Sequence, residues 1–441
     1  MAMFDMSSQH GAEAAVTTGF LTGSIGPRLR PSRPGDTAEH PAEGHTRKSS
    51  SAARGNGDLA ARWAHLRLQH PRLRIRDAAQ VLDVSEAELV TTRLGEGVTR
   101  LRADFAEWLT RLEPVGEVMG LTRNEHAVHE RHGVYSNARV FGSMGLLVNP
   151  DIDLRLFLSH WHALFHVVEG EGENQRKSFQ VFGVDGLAIH KIYQTAATRH
   201  AVWDGLVEHL LDDDQSSPFQ PLSLPQTRAR LRDDEVDADG LRAHWDALRD
   251  THDFVELLSR FEVGRLQALR LAGASRAWPV GIATVEQLLE YAADDDLPIM
   301  IFVGNRGIVQ IHTGSVRRLC RTGDWFNVLD PKFNLHLRTT AIAESWVVRK
   351  PTVDGSVHSL ELYDLSGELI LQMFGARKPG QPEDPRWRAL VNLCEPVACP
   401  VAEPRQALSS HAASAIACGD LTAAKATNPA ASSMEKHDAS A

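Results

Sequence analysis

The sequence is poor in the features that tie a chain to an oxidising compartment, a membrane or a polyanion. It has four cysteines, Cys320, Cys394, Cys399 and Cys418, unevenly placed in 441 residues. That is too few for a disulfide framework and points to a reducing cytoplasm. Cys394 and Cys399 lack the two-residue gap and the second pair that a zinc site needs. No apolar run reaches the roughly eighteen residues of a membrane span, so the chain is expected not to be membrane-embedded. Residues Met1 to His10 show no basic segment followed by an apolar one, so no secretory signal is expected. Positive charge is in deficit. The formal net charge of −10 argues against a protein that coats nucleic acid, although it permits a local basic patch.

What is present suits a globular protein. Apolar residues make up 42% of the chain, enough for real cores, and the length suggests about two to three domains. The 21 histidines keep metal or haem chemistry open. Residues 1–57 are rich in Ser, Gly, Pro, Thr and His without periodicity and are expected to be a disordered tail; residues 400–441 are expected to be a second. Both should be dispensable for chemistry. Asp212 to Pro218, with Pro221 and Pro225 beyond, reads as a linker over 212–236. Two units remain, 58–211 and 237–399.

The first unit opens with helical patterning from Leu59 to Leu94. Within it, Arg76 to Val90 reads as helix, tight turn and helix, with Ser85 and Glu88 as a capping box. Its second helix begins Glu86-Ala87-Glu88, acidic where a recognition helix should meet phosphates, so a packing helical hairpin is the better reading. Leu101 to Leu112 is patterned as another helix. Short strands are then expected at Val118 to Glu130, Gly145 to Val148, Ile152 to Leu158, Ala163 to Val168, Phe179 to Val184 and Leu187 to Tyr193. Helix returns from Ala196 to Leu211 and again over 237–292, and strands resume at Ile299.

The second run of strands repeats the first at a constant offset of 181 residues, the step from Asn124 to Asn305. Val128 meets Val309. Pro150, Leu154 and Leu156 meet Pro331, Leu335 and Leu337, and Ser178 and Val181 meet Ser359 and Leu362. Gly186 meets Gly367, Ile189 meets Ile370, and Tyr193 meets Phe374. The expected fold class is therefore α+β: two structurally repeated halves, each a mostly antiparallel sheet flanked by helices. A ligand cleft is expected between the halves, or between a sheet and its preceding helices.

His244 to Arg265 is patterned as one amphipathic helix. Trp245, Leu248, Val255 and Leu258 form its stripe, Phe254 and Phe261 widen it, and Gly264 is expected to end it. His252 falls at the edge of that stripe. Two readings stand for it: a core-edge histidine satisfied by a carbonyl, or a neutral imidazole placed as the proximal ligand of a haem iron.

Several segments, in order and at consistent spacing, resemble the bacterial cytoplasmic haemin-transport and haemin-degrading proteins of the HemS type. They are Leu121 to Glu130, Asp153 to Phe157, Thr251 to Phe254, Ile299 to Gly307 and Ala343 to Pro351. The resemblance spans about Leu59 to Leu393, and the family's own structural duplication agrees with the internal repeat. It implies that His252 is the axial ligand of haem b and that Arg155 faces the iron from the other side. It implies that Arg265, Lys350 and Arg377 line the pocket and meet the propionates. Phe157 and Phe302 are the implied apolar walls, and Gln372 a polar one. Phe374 stands where a tyrosine is common, so this chain offers one hydroxyl fewer at the haem edge.

Those residue types suit the ligand, a flat apolar disc with two carboxylates and an iron. The Arg155 guanidinium stays protonated, so it suits hydrogen bonding to an iron-held group rather than ligation. His190 is a rival ligand on a strand. His160 with His162, and His126, His129 and His132, suggest metal pairs without a convincing third ligand. Three functions follow. The first is oxidative haem degradation that releases iron with an external electron donor, which makes His252 and Arg155 the catalytic pair. The second is a chaperone handing haem to a separate haem oxygenase, and the family is divided between these two. The third, a haem-responsive DNA-binding regulator, rests on residues 74–90 and is opposed by the acidic second helix. A haem ABC importer is the implied upstream partner.

Overall fold

The computed structural model describes residues 56–224, 230–378 and 380–398. Nearly all of both expected tails, Cys399, Cys418 and the middle of the expected linker lie outside the described residues. In the first repeat, α1 (Asn56–Gln69), α2 (Ile75–Leu82) and α3 (Glu86–Thr91) precede β1 (Val98–Leu101) and α4 (Phe105–Thr110). Then come β2 (Gly116–Arg123), β3 (Ala127–Val134), β4 (Arg139–Phe141), β5 (Met144–Val148), β6 (Asp153–Phe157), β7 (Ala163–Glu169), β8 (Arg176–Phe182), β9 (Ala188–Thr198) and α5 (His200–His209). The second repeat opens with α6 (Ala238–Asp246), α7 (Asp253–Arg260), α8 (Arg265–Ala272), β10 (Ala277–Val280) and α9 (Thr284–Asp294). It continues with β11 (Ile299–Asn305), β12 (Ile308–Gly314), β13 (Leu319–Thr322), β14 (Trp325–Asp330), β15 (Phe333–Arg338), β16 (Glu344–Thr352), β17 (Gly355–Tyr363), β18 (Leu369–Gly375) and α10 (Pro385–Asn392).

The eighteen strands form two antiparallel sheets of nine, so the α+β class and the duplication hold. One sheet runs β1-β7-β8-β9-β2-β3-β15-β14-β13 and the other β10-β16-β17-β18-β11-β12-β6-β5-β4. Each repeat thus completes its sheet with three strands of the other. The junctions are β3 on β15, with His129 opposite Leu335, and β12 on β6, with Val309 opposite Arg155. The lone expected strand Val118 to Glu130 is instead the hairpin β2–β3, turning at Asn124.

Asn124 and Asn305, equivalent in the repeat, sew the two sheets together. Each side-chain oxygen caps its own turn, accepting from the N–H groups of His126 and Ala127, or of Gly307. Each side-chain amide donates across the interface. Asn124 reaches the carbonyls of Ile370 at 2.8 Å and Gly304 at 3.2 Å; Asn305 reaches those of Arg123 and Ile189, both at 2.9 Å. The turn glycines Gly186 and Gly367 also match, with φ of +75° and +79°, a left-handed conformation that glycine adopts without steric cost.

Helices cover the outer faces. In the first repeat Trp203 stacks on Phe179 at 4.0 Å and Trp108 meets Phe179 edge-on at 5.8 Å. In the second, Leu288 and Leu289 of α9 and Trp387 and Val391 of α10 pack on Ile299, Ile301, Val347 and Leu360. The helical hairpin of α2 and α3 is a packing unit. Its capping box at Ser85 and Glu88 forms, its Ala87, Leu89 and Val90 are buried, and Glu86 is sequestered against Lys191 and Arg123.

The sheets also bury histidines. His190 has both ring nitrogens engaged, by Thr122 at 2.9 Å and Tyr135 at 2.7 Å, and burial pushes its pKa down to about 3. His312 stacks on Phe333 at 3.7 Å, and burial beside Arg131 pushes it down to about 3. Burial brings His166 to about 4. Their folded pKa values lie below an unfolded value of about 6.5, so the unfolded chain takes up protons first as pH falls. Stability should therefore decline below about pH 6.5, by about 1.4 kcal/mol per pH unit for each such histidine. Carboxylates add their own loss only nearer their unfolded value of about 4.3, which leaves pH 5–6.5 to the histidines. Urea unfolding across that window should give a shallower slope for His190→Gln than for wild type. Identical slopes would remove His190 from the acid response.

Candidate functional site

Residues directly opposite in neighbouring antiparallel strands project to the same side. The pairs Arg155–Val309, Ile311–Phe302, Phe302–Gln372, Gln372–Glu361 and Glu361–Trp346 therefore define one face of the second sheet. Steps of two along the strands add Phe157, Met300, Phe374, Ser359 and Lys350. Most of the predicted pocket residues thus fall on a single face.

At one end of this face Phe157, Phe302, Val309, Ile311, Val357 and Phe374 form a buried apolar cluster, with Met144 and Met300 beside it. Phe302 and Phe374 meet edge-to-face at 5.0 Å. Phe157 and Met144 come from the first repeat, carried in by β5 and β6. At the other end α6, α7 and α8 pack Trp245, Phe254 and Leu257 against Trp346, Val348 and Tyr363.

Between them lies Glu361, fully buried. Arg265 donates to both of its oxygens at 2.8 Å. Lys350 and Gln372 each donate at 2.9 Å, Ser359 at 3.1 Å and Tyr363 at 2.6 Å. Burial alone would raise its carboxyl pKa, but Arg265 and Lys350 reverse this and hold it well below the usual range. Burial pushes the Lys350 ammonium down to about 8 even with Glu361 beside it. Of the cations that the resemblance places at the propionates, Lys350 is buried, Arg265 is nearly so, and both are tied to Glu361. With two cations on one carboxylate, the cluster keeps an excess positive charge.

The same cations hold the helix that follows His252. Arg265 lies 5.1 Å and Lys350 4.5 Å from the centre of the Phe254 ring. Trp245 meets that ring edge-on at 4.7 Å and donates its indole N–H to the Arg349 carbonyl at 2.9 Å. The expected single helix from His244 to Arg265 is in fact interrupted. α6 ends at Asp246; beyond it Asp253 accepts from the N–H groups of Arg249 and Asp250 and opens α7 with His252 at its N-cap. Gly264 does not stop a helix; it is the N-cap of α8. Asp250 accepts from the His252 backbone N–H at 2.9 Å and from ring Nδ1. That contact favours the tautomer with its lone pair on Nε2, as metal-ligating histidines commonly have. Burial acts to raise the Asp250 carboxyl, and the His252 backbone N–H and imidazole more than offset it.

Arg155 lies at the opposite end of the face, with β17, β18, β11 and β12 between its strand and β16. Its Nη1 meets the Asp153 carboxylate, whose pKa burial raises, and its Nε is buried with no hydrogen-bond partner among the described residues. Arg377 lies beyond β18, 3.8 Å from Asp354, with Nη1 likewise buried and unpartnered among the described residues. His190 sits on the other sheet with both nitrogens occupied. His162 packs edge-on against Phe219, His126 faces Asp364 at 3.5 Å, and His129 is buried beside Phe333. Among the described residues no group of three or more His, Cys, Asp or Glu could hold a metal ion.

The reading of the sequence missed Glu361. Its signal was there: in Ser359-Leu360-Glu361-Leu362-Tyr363 the carboxylate takes a strand position flanked by hydrophobes, where an acid survives only if paired.

The profile of the haemin-degrading HemS.ChuX domain matches residues 83–210 and again 262–393, so His252 lies between the two matches. The hemin transport protein HmuS of Yersinia pestis is 41% identical over 335 residues, 76% of this chain and 96% of its own. Holo-PhuS, a heme-binding protein from Pseudomonas aeruginosa, superposes with a TM-score of 0.77 at 48% identity, covering 78% of this chain and all of its own. ChuS, an E. coli heme oxygenase, does so with a TM-score of 0.70 at 38% identity, covering 76% and 99%.

Glu361→Gln should leave two buried cations without a counter-charge and destabilise the fold by about 3–5 kcal/mol. Urea unfolding at neutral pH measures this. A loss below about 1 kcal/mol, the scale of an exposed pair, would mean that Arg265 and Lys350 find other partners.

Proposed function

The chain belongs to the haemin-degrading HemS.ChuX domain family, and on that footing we propose that it binds haem on this face and degrades it oxidatively, releasing iron. The observation that carries the reading is the composition of the face. An aromatic cluster stands beside a cation-rich group, Arg155 on the same face has a buried Nε, and Arg377 just beyond β18 a buried Nη1, both without a hydrogen-bond partner among the described residues. A flat apolar disc bearing two carboxylates satisfies all three: its rings cover the phenylalanines, and its anionic edge meets the excess positive charge and Arg377. His252, oriented by Asp250, is the proposed axial ligand, and Arg155 the proposed donor on the opposite side. Phe157, Phe302, Phe374 and Gln372 would form the walls. Arg265 and Lys350 would act on the propionates mainly as a fixed field, since their own hydrogen bonds are taken by Glu361.

Degradation requires an external electron donor, and a cytoplasmic setting downstream of a haem importer would supply the substrate. The similarity to PhuS, a heme-binding protein, favours a second reading: a chaperone that passes haem to a separate oxygenase. Purified protein incubated with haem and a reductant decides between them. Loss of the haem bands with appearance of free iron marks the enzyme. A persistent complex that transfers haem to an oxygenase marks the chaperone.

His252→Ala should weaken haem binding and change the absorbance spectrum, because the axial bond is lost; an unchanged spectrum would place the ligand elsewhere. Arg155→Ala should still bind haem but lose it more slowly under reductant, by about tenfold to a hundredfold, as expected for one charge-assisted hydrogen bond. A variant that binds normally and turns over at the wild-type rate would take Arg155 out of the mechanism.

A further inference from the structure

The reverse side of the same sheet carries a second set of converging polar groups. Arg349 and His358 are directly opposite each other on β16 and β17. Because side chains alternate along a strand, both point away from the face that holds Lys350 and Ser359. They line a depression of about 470 Å³ together with Ser275, Trp278, Asp354, Ser356, Arg388 and Asn392.

His358 is buried and firmly oriented. Its Nδ1 faces Glu383 at 2.9 Å, and Glu383 also accepts from the His358 backbone N–H and from Arg388 Nε at 3.1 Å. Trp387 of α10 donates to the His358 carbonyl at 2.9 Å. With the Nδ1 proton held by the carboxylate, the ring edge offered to the depression is the Nε2 lone pair, which accepts from the P–OH of a phosphoryl monoanion, a bond that acetate cannot offer. The Arg349 side chain makes no ion pair among the described residues, and Arg388 spends only Nε on Glu383. Both acids are committed: Glu383 to three donors, and Asp354 to the Gly380 N–H at 3.1 Å and to Arg377. The depression therefore presents two guanidinium groups and one imidazole, with hydroxyl and amide donors between them. Trp278 adds a flat half-buried wall.

We propose that this depression is a binding site for a small phosphomonoester. A carboxylate offers two oxygens in one plane, whereas a phosphoryl group offers three that diverge, which suits separate donors on two strands and a helix. The volume exceeds that of a bare phosphate ion, and Trp278 gives the organic body an apolar surface. The site stands apart from the haem-facing side, so it neither needs nor tests the haem reading.

Isothermal titration of the full chain with inorganic phosphate, adenosine monophosphate and acetate is the test. Phosphate should bind in the millimolar range or tighter, the monophosphate ester at least as tightly, and acetate more weakly. Arg349→Gln should lower affinity for the ester about tenfold, one charge-assisted bond's worth, and should keep the wild-type melting temperature. His358→Gln should lower affinity less; because it also removes a partner of the buried Glu383, Ser356→Ala, with a smaller expected loss, replaces it if its melting temperature falls. No binding at millimolar concentration, acetate as tight as phosphate, rejection of the ester, or variants that bind like wild type would each overturn the proposal.

Discussion

The buried carboxylate of Glu361 is the constraint on which the site depends. A lone charge there would cost several kcal/mol, so the fold must bring partners to it. Those partners come from separate segments: Arg265 from α8, Lys350 from β16, Gln372 from β18, and Ser359 and Tyr363 from its own strand. Satisfying Glu361 therefore fixes the helices against the sheet. The two cations then clamp Phe254, two residues beyond His252. His252 caps α7 with its side chain largely buried and its ring oriented by Asp250, and the residue two beyond it is held by this cluster.

Strand exchange is the second constraint. The three-strand unit β4–β6 lies in the sheet of the other repeat, so Arg155 and Phe157 reach a face built otherwise from residues after 240. Asn124 and Asn305 lock this arrangement by donating across the interface from both sides. The two halves of the sequence are consequently not two halves of the site. A displacement of β6 would move the apolar wall and the arginine together, while leaving the Glu361 cluster intact.

The repeat was legible in the sequence because turn glycines, turn asparagines and apolar alternation recur at one offset, and each has a local cause. The shared face was legible only through resemblance, since nothing in Asp153-Leu154-Arg155 says which sheet its strand joins. Exchange is a long-range choice, and period-two patterning is blind to it. The break before His252 was not legible because the apolar stripe keeps helical spacing across it, while the turn between the helices is held by side chains, Asp250 and Asp253, that accept from backbone N–H groups. The burial of Arg265 and Lys350 was not legible from either residue alone, because the acid that balances them comes from another segment of the chain.

That acid also decides what the cations can do. An arm free to swing onto a carboxylate gains little, since the gain is screened and ordering it costs entropy. Arg265 and Lys350 have already met that cost in folding, and their charge reaches the face from a fixed, dry position where screening is weak. The face is therefore positive before any ligand arrives. Arg155, opposite Val309 of the apolar cluster, adds a buried Nε with no hydrogen-bond partner among the described residues. An aromatic floor, a fixed positive field and an unpartnered donor favour an amphiphilic planar anion over either a purely apolar or a purely charged one. The floor alone would accept any flat hydrophobe; the field is what would favour one that carries carboxylates.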